Sequence, residues 1–295
     1  MIAVNLSDMV FRSYVPARPL GDFIDDFWLY DDYAPPHFKE RILPSGTTEL
    51  VINLRDDEFR IYDRGRPGRC ERFSGAIVSG TYGGFFVIDT LEETSLIGVH
   101  FKPGGAFPFT GLPASELVDA HVDLDTLWGP SARELRERLC AVPTPMHRFH
   151  VLEEVLTARL FRPLEHHGAV PFALEAFSRP GTTTVRAVTE QIGLSQRRFI
   201  EIFKTEVGLT PKLFHRVQRF QRTLAVIRGA TATDWARLAL DCGFFDQSHL
   251  IHDFVAFSGF SPAEFVRHQH DLEQRGVHLK RNHVPLRESR PPGPR

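Results

Sequence analysis

The sequence lacks the cysteine content and spacing of a metal site or a disulfide framework. Its three cysteines, Cys70, Cys140 and Cys242, lie far apart in 295 residues, and no Cys-x-x-Cys pair occurs. Zinc sites and disulfide-rich secreted domains both depend on closely and repeatedly spaced cysteines. The pattern therefore fits a reducing compartment, and we expect neither a metal nor any other cofactor.

Long apolar runs and enzyme motifs are also missing. No segment approaches the ~18 consecutive apolar residues that cross a bilayer, and the N-terminus has no basic start followed by an apolar stretch. We therefore expect a cytoplasmic location and no membrane partner. The chain contains no Gly-x-Ser-x-Gly elbow, no phosphate-binding Gly-x-x-x-x-Gly-Lys and no Gly-x-Gly-x-x-Gly. Scattered histidines in the N-terminal half lack metal-ligand spacing, so no catalytic residue and no enzyme activity are predicted.

Charge is nearly balanced overall but unevenly distributed. The chain has 35 basic and 37 acidic residues, a net charge of −2. Residues 1–180 contain 18 basic and 26 acidic residues (net −8), whereas residues 181–270 contain 11 and 8 (net +3) and residues 271–295 contain 6 and 3 (net +3). A mildly basic C-terminal part is typical of a nucleic-acid-binding half. At this length we expect two domains, each large enough for its own core.

One pattern occurs twice in the C-terminal third of the chain. An apolar stripe at helical spacing is followed by Gly193 in the first copy and by Gly243 in the second. Ser195 or Asp246 follows as a capping residue, and a second amphipathic helix comes after it. Both copies end in a Gly-x-[Ser/Thr]-Pro motif. Since a helix, a glycine turn and a second helix make a helix-turn-helix unit, the chain is predicted to contain two.

The repeat also predicts the domain organisation. Helix-turn-helix units are expected at about residues 184–206 and 233–257, joined by a linker helix at about 211–228. Together they form an all-α tandem helix-turn-helix domain over residues 163–269. Two such units present two helices to successive grooves of double-stranded DNA, which is therefore the predicted partner. Residues 270–295, rich in Pro and Arg, are predicted to be a disordered tail.

Residues 1–162 follow a different pattern. Five short runs rich in branched and aromatic residues recur at roughly ten-residue spacing; they are Glu49–Leu54, Phe59–Tyr62, Gly75–Val78, Phe85–Ile88 and Leu96–Phe101. This spacing is typical of an antiparallel sandwich or barrel. From about Ser115 the pattern becomes helical, and an apolar stripe that begins at Phe149 belongs either to the core or to a dimer-forming helix. The predicted fold is an α+β multidomain chain, in which a β-rich sandwich- or barrel-like domain with helices precedes the all-α domain.

The repeated motifs resemble those of the AraC/XylS family of transcription regulators. The most specific parts are Gly193-Leu194-Ser195-x-x-x-Phe199-x-x-x-Phe203-Lys204 and Gly243-Phe244-x-x-Gln247-Ser248-x-Leu250-x-x-x-Phe254. The matching block covers about residues 168–269, roughly a third of the chain. Two N-terminal segments, residues 43–47 and 100–106, resemble more loosely the sensor domains attached to some of these regulators.

The resemblance implies two recognition helices that enter adjacent segments of the major groove. The residues that it places at the DNA are Gln196, Arg197, Arg198, Ile200, Glu201, Lys204, Arg216, Arg219, Gln247, Ser248, His249 and His252. Phosphate contacts are the better fit for the basic residues Arg198, Lys204, Arg216 and Arg219, and the linker helix is expected to carry its arginines on its outer face. Glu201 has two open interpretations, as a base-contacting residue or as an intramolecular partner of a neighbouring Arg or Lys.

The resemblance further implies a regulated protein. A small-molecule effector at the N-terminal sensor domain is the expected partner, together with a homodimer, and with RNA polymerase if the chain is an activator. The effector-binding residues are not predicted, since core packing explains plausible lining residues such as Trp28, Tyr82, His100 and Phe101 equally well. Two alternatives stay open. One is an N-terminal enzyme tethered to DNA, and the other is a dimeric regulator without an effector.

Overall fold

The computed structural model has a β-rich N-terminal part and a helical C-terminal part. The residues that it describes are 2–6, 9–31, 37–65, 69–90, 95–179, 184–228, 234–275, 277 and 282–286. This arrangement confirms the predicted fold class.

The strands, in chain order, are β1 Ile2–Leu6, β2 Met9–Tyr14, β3 Ile24–Asp31, β4 Lys39–Ile42, β5 Glu49–Asn53, β6 Glu58–Tyr62, β7 Cys70–Ser74, β8 Ala76–Ser79, β9 Phe86–Asp89, β10 Leu96–Phe101, β11 His121–Asp123 and β12 His283–Pro285. Within the described ranges they form two antiparallel sheets. The larger has the order β1-β2-β3-β10-β5-β8-β11, and the smaller has the order β12-β4-β9-β6-β7. All five runs predicted as strands are strands, shifted by a residue or two at their ends.

The helices are α1 Phe107–Thr110, α2 Leu124–Trp128, α3 Pro130–Ala141, α4 Pro145–Ala158, α5 Ala169–Ser178, α6 Val185–Ile192, α7 Gln196–Val207, α8 Pro211–Ile227, α9 Trp235–Asp241, α10 Gln247–Ser258 and α11 Pro262–Gln274. The predicted helix-turn-helix units correspond to α6–α7 and α9–α10, and the linker helix corresponds to α8.

The helices α1–α4 pack on the larger sheet and share its core. Phe149, Leu152 and Leu156 of α4 are fully buried in that core, together with Phe27 and Val99 of the sheet. Burial of apolar area on this scale is the main favourable contribution to folding of this part. The stripe that begins at Phe149 therefore belongs to the core, which answers the question that its sequence left open.

A second core joins the helices of the C-terminal part. Phe220, near the middle of α8, contacts Phe254 and Phe257 of α10 with ring centroids 5.1 and 5.3 Å apart. Near the start of the same helix, the ring centroid of Phe214 lies 5.5 Å from that of Phe203 of α7. Since α8 packs on both α7 and α10, it holds the two helix-turn-helix units in one body.

The predicted tail is wrong for the residues described in its range. Helix α11 continues to Gln274, and β12 pairs with β4 of the smaller sheet. Val284 of β12 is fully buried in the C-terminal core, where it joins Leu43. A three-residue strand is too short to show a period in the sequence, and its partners are more than 230 residues away. The remaining residues of the predicted tail lie outside the described ranges.

Candidate nucleic-acid interface and N-terminal cavity

The first helix-turn-helix unit has the predicted turn. Gly193 ends α6 with a left-handed φ of +75°, and its N–H donates to the Thr189 carbonyl. The Ser195 hydroxyl accepts from the Arg198 N–H and caps α7. Phe199 and Phe203 anchor the inner side of α7 in the C-terminal core. Glycine and cap together fix where α7 begins, so Phe199 faces the core while Arg197 and Arg198 face away from it.

The outer face of α7 carries the first group of predicted DNA-contacting residues. Gln196, Arg197, Arg198 and Glu201 are exposed, while Ile200 and Lys204 are half-buried. The Arg198 Nη1 atom lies 3.1 Å from Glu201 Oε2, and both side chains are more than half exposed. Such a surface pair is worth at most about 1 kcal/mol, so either partner is free to exchange it for a ligand. Of the two interpretations of Glu201, the structure therefore contains the intramolecular one.

The second unit repeats this geometry. Gly243 has a φ of +83°, and the Asp246 carboxylate accepts from the His249 N–H at 2.7 Å to cap α10. Gln247, Ser248 and His252 are exposed on the outer face of α10, and His249 is half-buried. Both predicted caps are thus confirmed, and the two units share one local design.

The second unit also exposes apolar side chains that were not predicted from the sequence. Phe245, directly before the cap of α10, is 85 % exposed, and Ile251 and Val255 of α10 are also exposed. Singly exposed apolar side chains are ordinary on protein surfaces, so the exposure of these residues alone identifies no partner. The sequence does not predict that Phe245 is exposed while the adjacent Phe244 is buried, because only the packing of the folded chain distinguishes these two residues.

Two of the predicted phosphate contacts are placed differently. Arg216 and Arg219 of α8 do not extend outward but pair with Asp253 of α10. Arg216 Nη2 lies 2.7 Å from Asp253 Oδ1, and Arg219 Nη2 lies 3.4 Å from Asp253 Oδ2. His249 Nε2 is 3.7 Å from the same carboxylate. We call these four residues the Asp253 cluster. The expectation of arginines on the outer face of α8 is wrong for Arg219, whose side chain is only 13 % exposed.

The electrostatics of the Asp253 cluster follow from burial and charge. Burial disfavours the ionised carboxylate of Asp253, but the hydrogen bond and the positive charge of Arg216 outweigh it, so its pKa lies below the ordinary value. Burial also lowers the pKa of Arg219, against the opposing effect of Asp253. The cluster therefore holds a charged network between α8 and α10, and it offers less positive charge to DNA than the sequence implied.

The N-terminal part contains a cavity of about 520 Å³. Residues of both sheets line it, and so do Gln218 and Gln221 of α8 and His283 of β12. This volume is in the range of small-molecule binding sites. The four residues that the sequence offered as plausible linings all lie on its wall: Trp28, Tyr82, His100 and Phe101.

Several polar groups of the cavity wall are hydrogen-bonded, either to one another or to His37 and Asp26, which do not line the cavity. The Glu40 carboxylate, 2 % exposed, lies between His37 Nε2 and His283 Nδ1, at 2.5 Å from each. His100 Nδ1 is 2.6 Å from Asp26 Oδ1. The Tyr82 hydroxyl pairs with His121 Nδ1. Burial lowers the pKa of His121 to about 3, so this imidazole is neutral at physiological pH.

The linker helix α8 forms the part of the cavity wall that the C-terminal half of the chain contributes through Gln218 and Gln221. Gln221 Nε2 donates to the Pro44 carbonyl at 2.6 Å and to Asn282 Oδ1 at 3.1 Å. Gln218 Nε2 donates to the Ser45 carbonyl at 3.2 Å. The helix that packs on both α7 and α10 is therefore also part of the wall of the cavity.

Among the described residues, no group of three or more His, Cys, Asp or Glu side chains is arranged to hold a metal ion. No described helix is both long and apolar enough to span a membrane.

Two family models match the chain. A domain of unknown function (DUF6597) matches residues 12–123, and a helix-turn-helix domain matches residues 188–268. No curated protein matches the sequence. The second match begins within α6, covers α7 to α10 and ends within α11.

Several solved structures are similar to the chain. Apo ToxT from Vibrio cholerae strain SCE256 has 10 % identity and a TM-score of 0.42, with 89 % of this chain and 98 % of that chain covered. ToxT from Vibrio cholerae O395 bound to (E)-4-(8-methylnaphthalen-1-yl)but-3-enoic acid has 9 % identity and a TM-score of 0.43, with 82 % and 98 % covered. A probable AraC family transcriptional regulator from Rhodopseudomonas palustris CGA009 has 27 % identity and a TM-score of 0.30, with 38 % and 100 % covered.

Proposed function

We propose that this chain is a DNA-binding transcription regulator controlled by a small molecule in its N-terminal cavity. The match of a helix-turn-helix domain to residues 188–268, and the resemblance of the repeated motifs to those of AraC/XylS regulators, support the DNA-binding part. The observation that carries the proposal is the position of α8. This helix packs on both recognition helices and also contributes Gln218 and Gln221 to the cavity wall. A ligand in the cavity would contact the element that sets the spacing of α7 and α10.

The DNA-contacting part of the proposal assigns base contacts to exposed residues of the two recognition helices. Arg197 is exposed near the start of α7, and Gln247 is exposed at the start of α10. Arginine pairs with guanine and glutamine with adenine through two hydrogen bonds in the major groove. Arg198 and Lys204 are the phosphate contacts that remain, because Arg216 and Arg219 are engaged by Asp253.

Replacing Arg197 by alanine should weaken binding to the operator by about 1–3 kcal/mol and relax the preference at one base pair. Fluorescence anisotropy with an operator selected from a random DNA library, and with its single-base variants, measures both effects. Arg133→Ala, at an exposed position of α3, is the matched control and should change neither. A uniform loss on all sequences would instead make Arg197 a phosphate contact.

The effector part of the proposal depends on an accessible cavity of useful size. Val51 of β5 is on its wall and is half-buried. Val51→Phe should fill part of the space and weaken binding of the neutral fluorescent probe N-phenyl-1-naphthylamine at least tenfold, whereas Val226→Phe, at an exposed position of α8, should leave it unchanged. Equal probe binding by the Val51 variant and the wild type would contradict the assignment of the cavity.

The proposal further includes a cytoplasmic homodimer, with RNA polymerase as a partner if the regulator is an activator. Paired recognition sites for two copies would double the DNA contacts of one chain. Sedimentation of the full chain with and without operator DNA tests the assembly, since a monomer under both conditions would rule out the dimer.

A further inference from the structure

The cavity wall combines aromatic rings with carboxylates. Its rings come from both sheets and from the loop after β8: Trp28, Tyr30, Phe59, Tyr82 and Phe86. The electron-rich face of such a ring attracts a cation, and several rings around one space are the usual recognition site of an organic ammonium group. The rings therefore favour a positively charged group over a negatively charged one.

The charged side chains of the wall act in the same direction. Three carboxylates, Asp25, Glu40 and Glu49, line the cavity, and Lys102 is the one lysine or arginine among the described lining residues. The ammonium group of Lys102 donates to the Gly21 carbonyl at 2.5 Å. With neutral histidines the wall therefore has a formal charge of −2. A carboxylate ligand would lose its hydration beside like charges, whereas an ammonium ligand would gain a counterion.

Glu49 is the carboxylate best placed to pair with a ligand. Glu40 is held by His37 and His283 at 2.5 Å, so its oxygens are already engaged. The contact of Glu49 with His100 is longer, at 3.5 Å between Oε1 and Nε2. In the larger sheet Glu49 lies directly opposite His100, whose ring centroid is 5.5 Å from that of Trp28.

We propose that the effector of this chain is an organic cation, an ammonium group on an apolar body, with Glu49 as the counterion of the ammonium and the surrounding rings as its apolar lining. This inference rests on the proposed function, because it names the ligand class of the same cavity. The ammonium would lie at the Glu49 end, beside His100 and the ring of Trp28, and the apolar body would extend toward Phe59 and Phe86.

Three molecules with one body and different heads test the ligand class on the full chain: 4-phenylbutylamine, 4-phenylbutan-1-ol and 4-phenylbutanoate. Isothermal titration calorimetry at pH 7.5 should give the amine at least tenfold higher affinity than the alcohol, with the carboxylate weakest. Glu49→Gln should lower the affinity for the amine at least tenfold and change that for the alcohol less than threefold. The matched control Glu154→Gln, at an exposed position of α4, should change neither.

The possible outcomes separate the ligand class from the cavity itself. Tightest binding of the alcohol or the carboxylate, or an unchanged preference in the Glu49 variant, would overturn the organic cation while leaving the cavity as the effector site. Binding of none of the three would also overturn it. The N-phenyl-1-naphthylamine experiment with Val51→Phe then decides independently whether the cavity takes any ligand.

Discussion

Replacing Asp253 by alanine is expected to lower the free energy of unfolding by about 3–5 kcal/mol, because removal of one partner leaves buried charges of the opposite sign uncompensated. Asp253 is 1 % exposed, and it is paired with both Arg216 and Arg219. Without the carboxylate, the half-buried guanidinium of Arg219 would keep its desolvation cost and lose its counterion. Urea denaturation of the purified chain measures the loss.

The loss of stability caused by Asp253→Ala should depend on pH, and the direction of that dependence follows from the pKa of Asp253. Because the folded-state pKa of Asp253 lies below its ordinary value, its ionised form stabilises the fold above the unfolded-state pKa, and this contribution is lost as the pH falls through the folded-state pKa. The difference in stability between wild type and variant should therefore be complete at pH 6–8, where it is about constant, and should shrink below about pH 4. A difference that grew on acidification would contradict this assignment.

The control for this prediction is Asp241→Ala. Asp241 Oδ2 lies 3.8 Å from Arg237 Nε, and both side chains are more than 60 % exposed. A surface pair of this kind contributes about 0–1 kcal/mol, so its loss should be close to the error of the measurement. An equal effect of the two substitutions would mean that the Asp253 cluster adds nothing beyond an ordinary surface contact.

The Asp253 cluster also has a functional consequence. It joins α8 to α10 by charge-assisted hydrogen bonds, while the Phe220 contacts join them by packing. Helix α10 is thereby joined to the helix that lines the cavity. We infer that a ligand that shifts α8 would move α10 with it, since the two helices share both kinds of contact.

Local chemistry explains why the helical part of the fold could be predicted. Gly193 and Gly243 adopt the left-handed backbone conformation that ends a helix, and Ser195 and Asp246 cap the next one. Each turn is therefore determined by a few adjacent residues. The positions of α6–α7 and α9–α10 follow from such signals alone. The same holds for the five predicted strands, whose branched and aromatic residues are adjacent in the sequence.

What could not be predicted depends on residues far apart in the chain. The spacing of Arg216, Arg219 and Arg222 in the sequence is typical of a solvent-exposed helix face. Arg219 is buried instead because it pairs with Asp253, 34 residues later in the chain. The cavity has the same origin. Trp28 of β3, His100 of β10 and Tyr82, in the loop after β8, line one space because these three strands belong to the same sheet although they are far apart in the chain. No periodic pattern in the sequence predicts that arrangement.

Strand β12 is the most distant of these contacts, and Val284→Asp is expected to release it. A carboxylate at this fully buried position would cost more than a short edge strand contributes, so the strand should detach rather than bury the charge. The Leu43 N–H donates to the Asn282 carbonyl at 2.9 Å, so its hydrogen exchange reports on the strand. Exchange at Leu43 should become about 100-fold faster, equivalent to about 3 kcal/mol of local stability.

The control Val15→Asp, at an exposed position, should leave exchange at Leu43 unchanged. Release of β12 would also remove His283 from the buried Glu40 and from the cavity wall, and would break the hydrogen bond from His268 Nε2 to the Pro285 carbonyl. The strand thus contacts the smaller sheet, the cavity and α11 at once, so its release should weaken binding of N-phenyl-1-naphthylamine as well. Fast exchange at Leu43 with unchanged probe binding would show that β12 supports the sheet edge without contributing to the cavity.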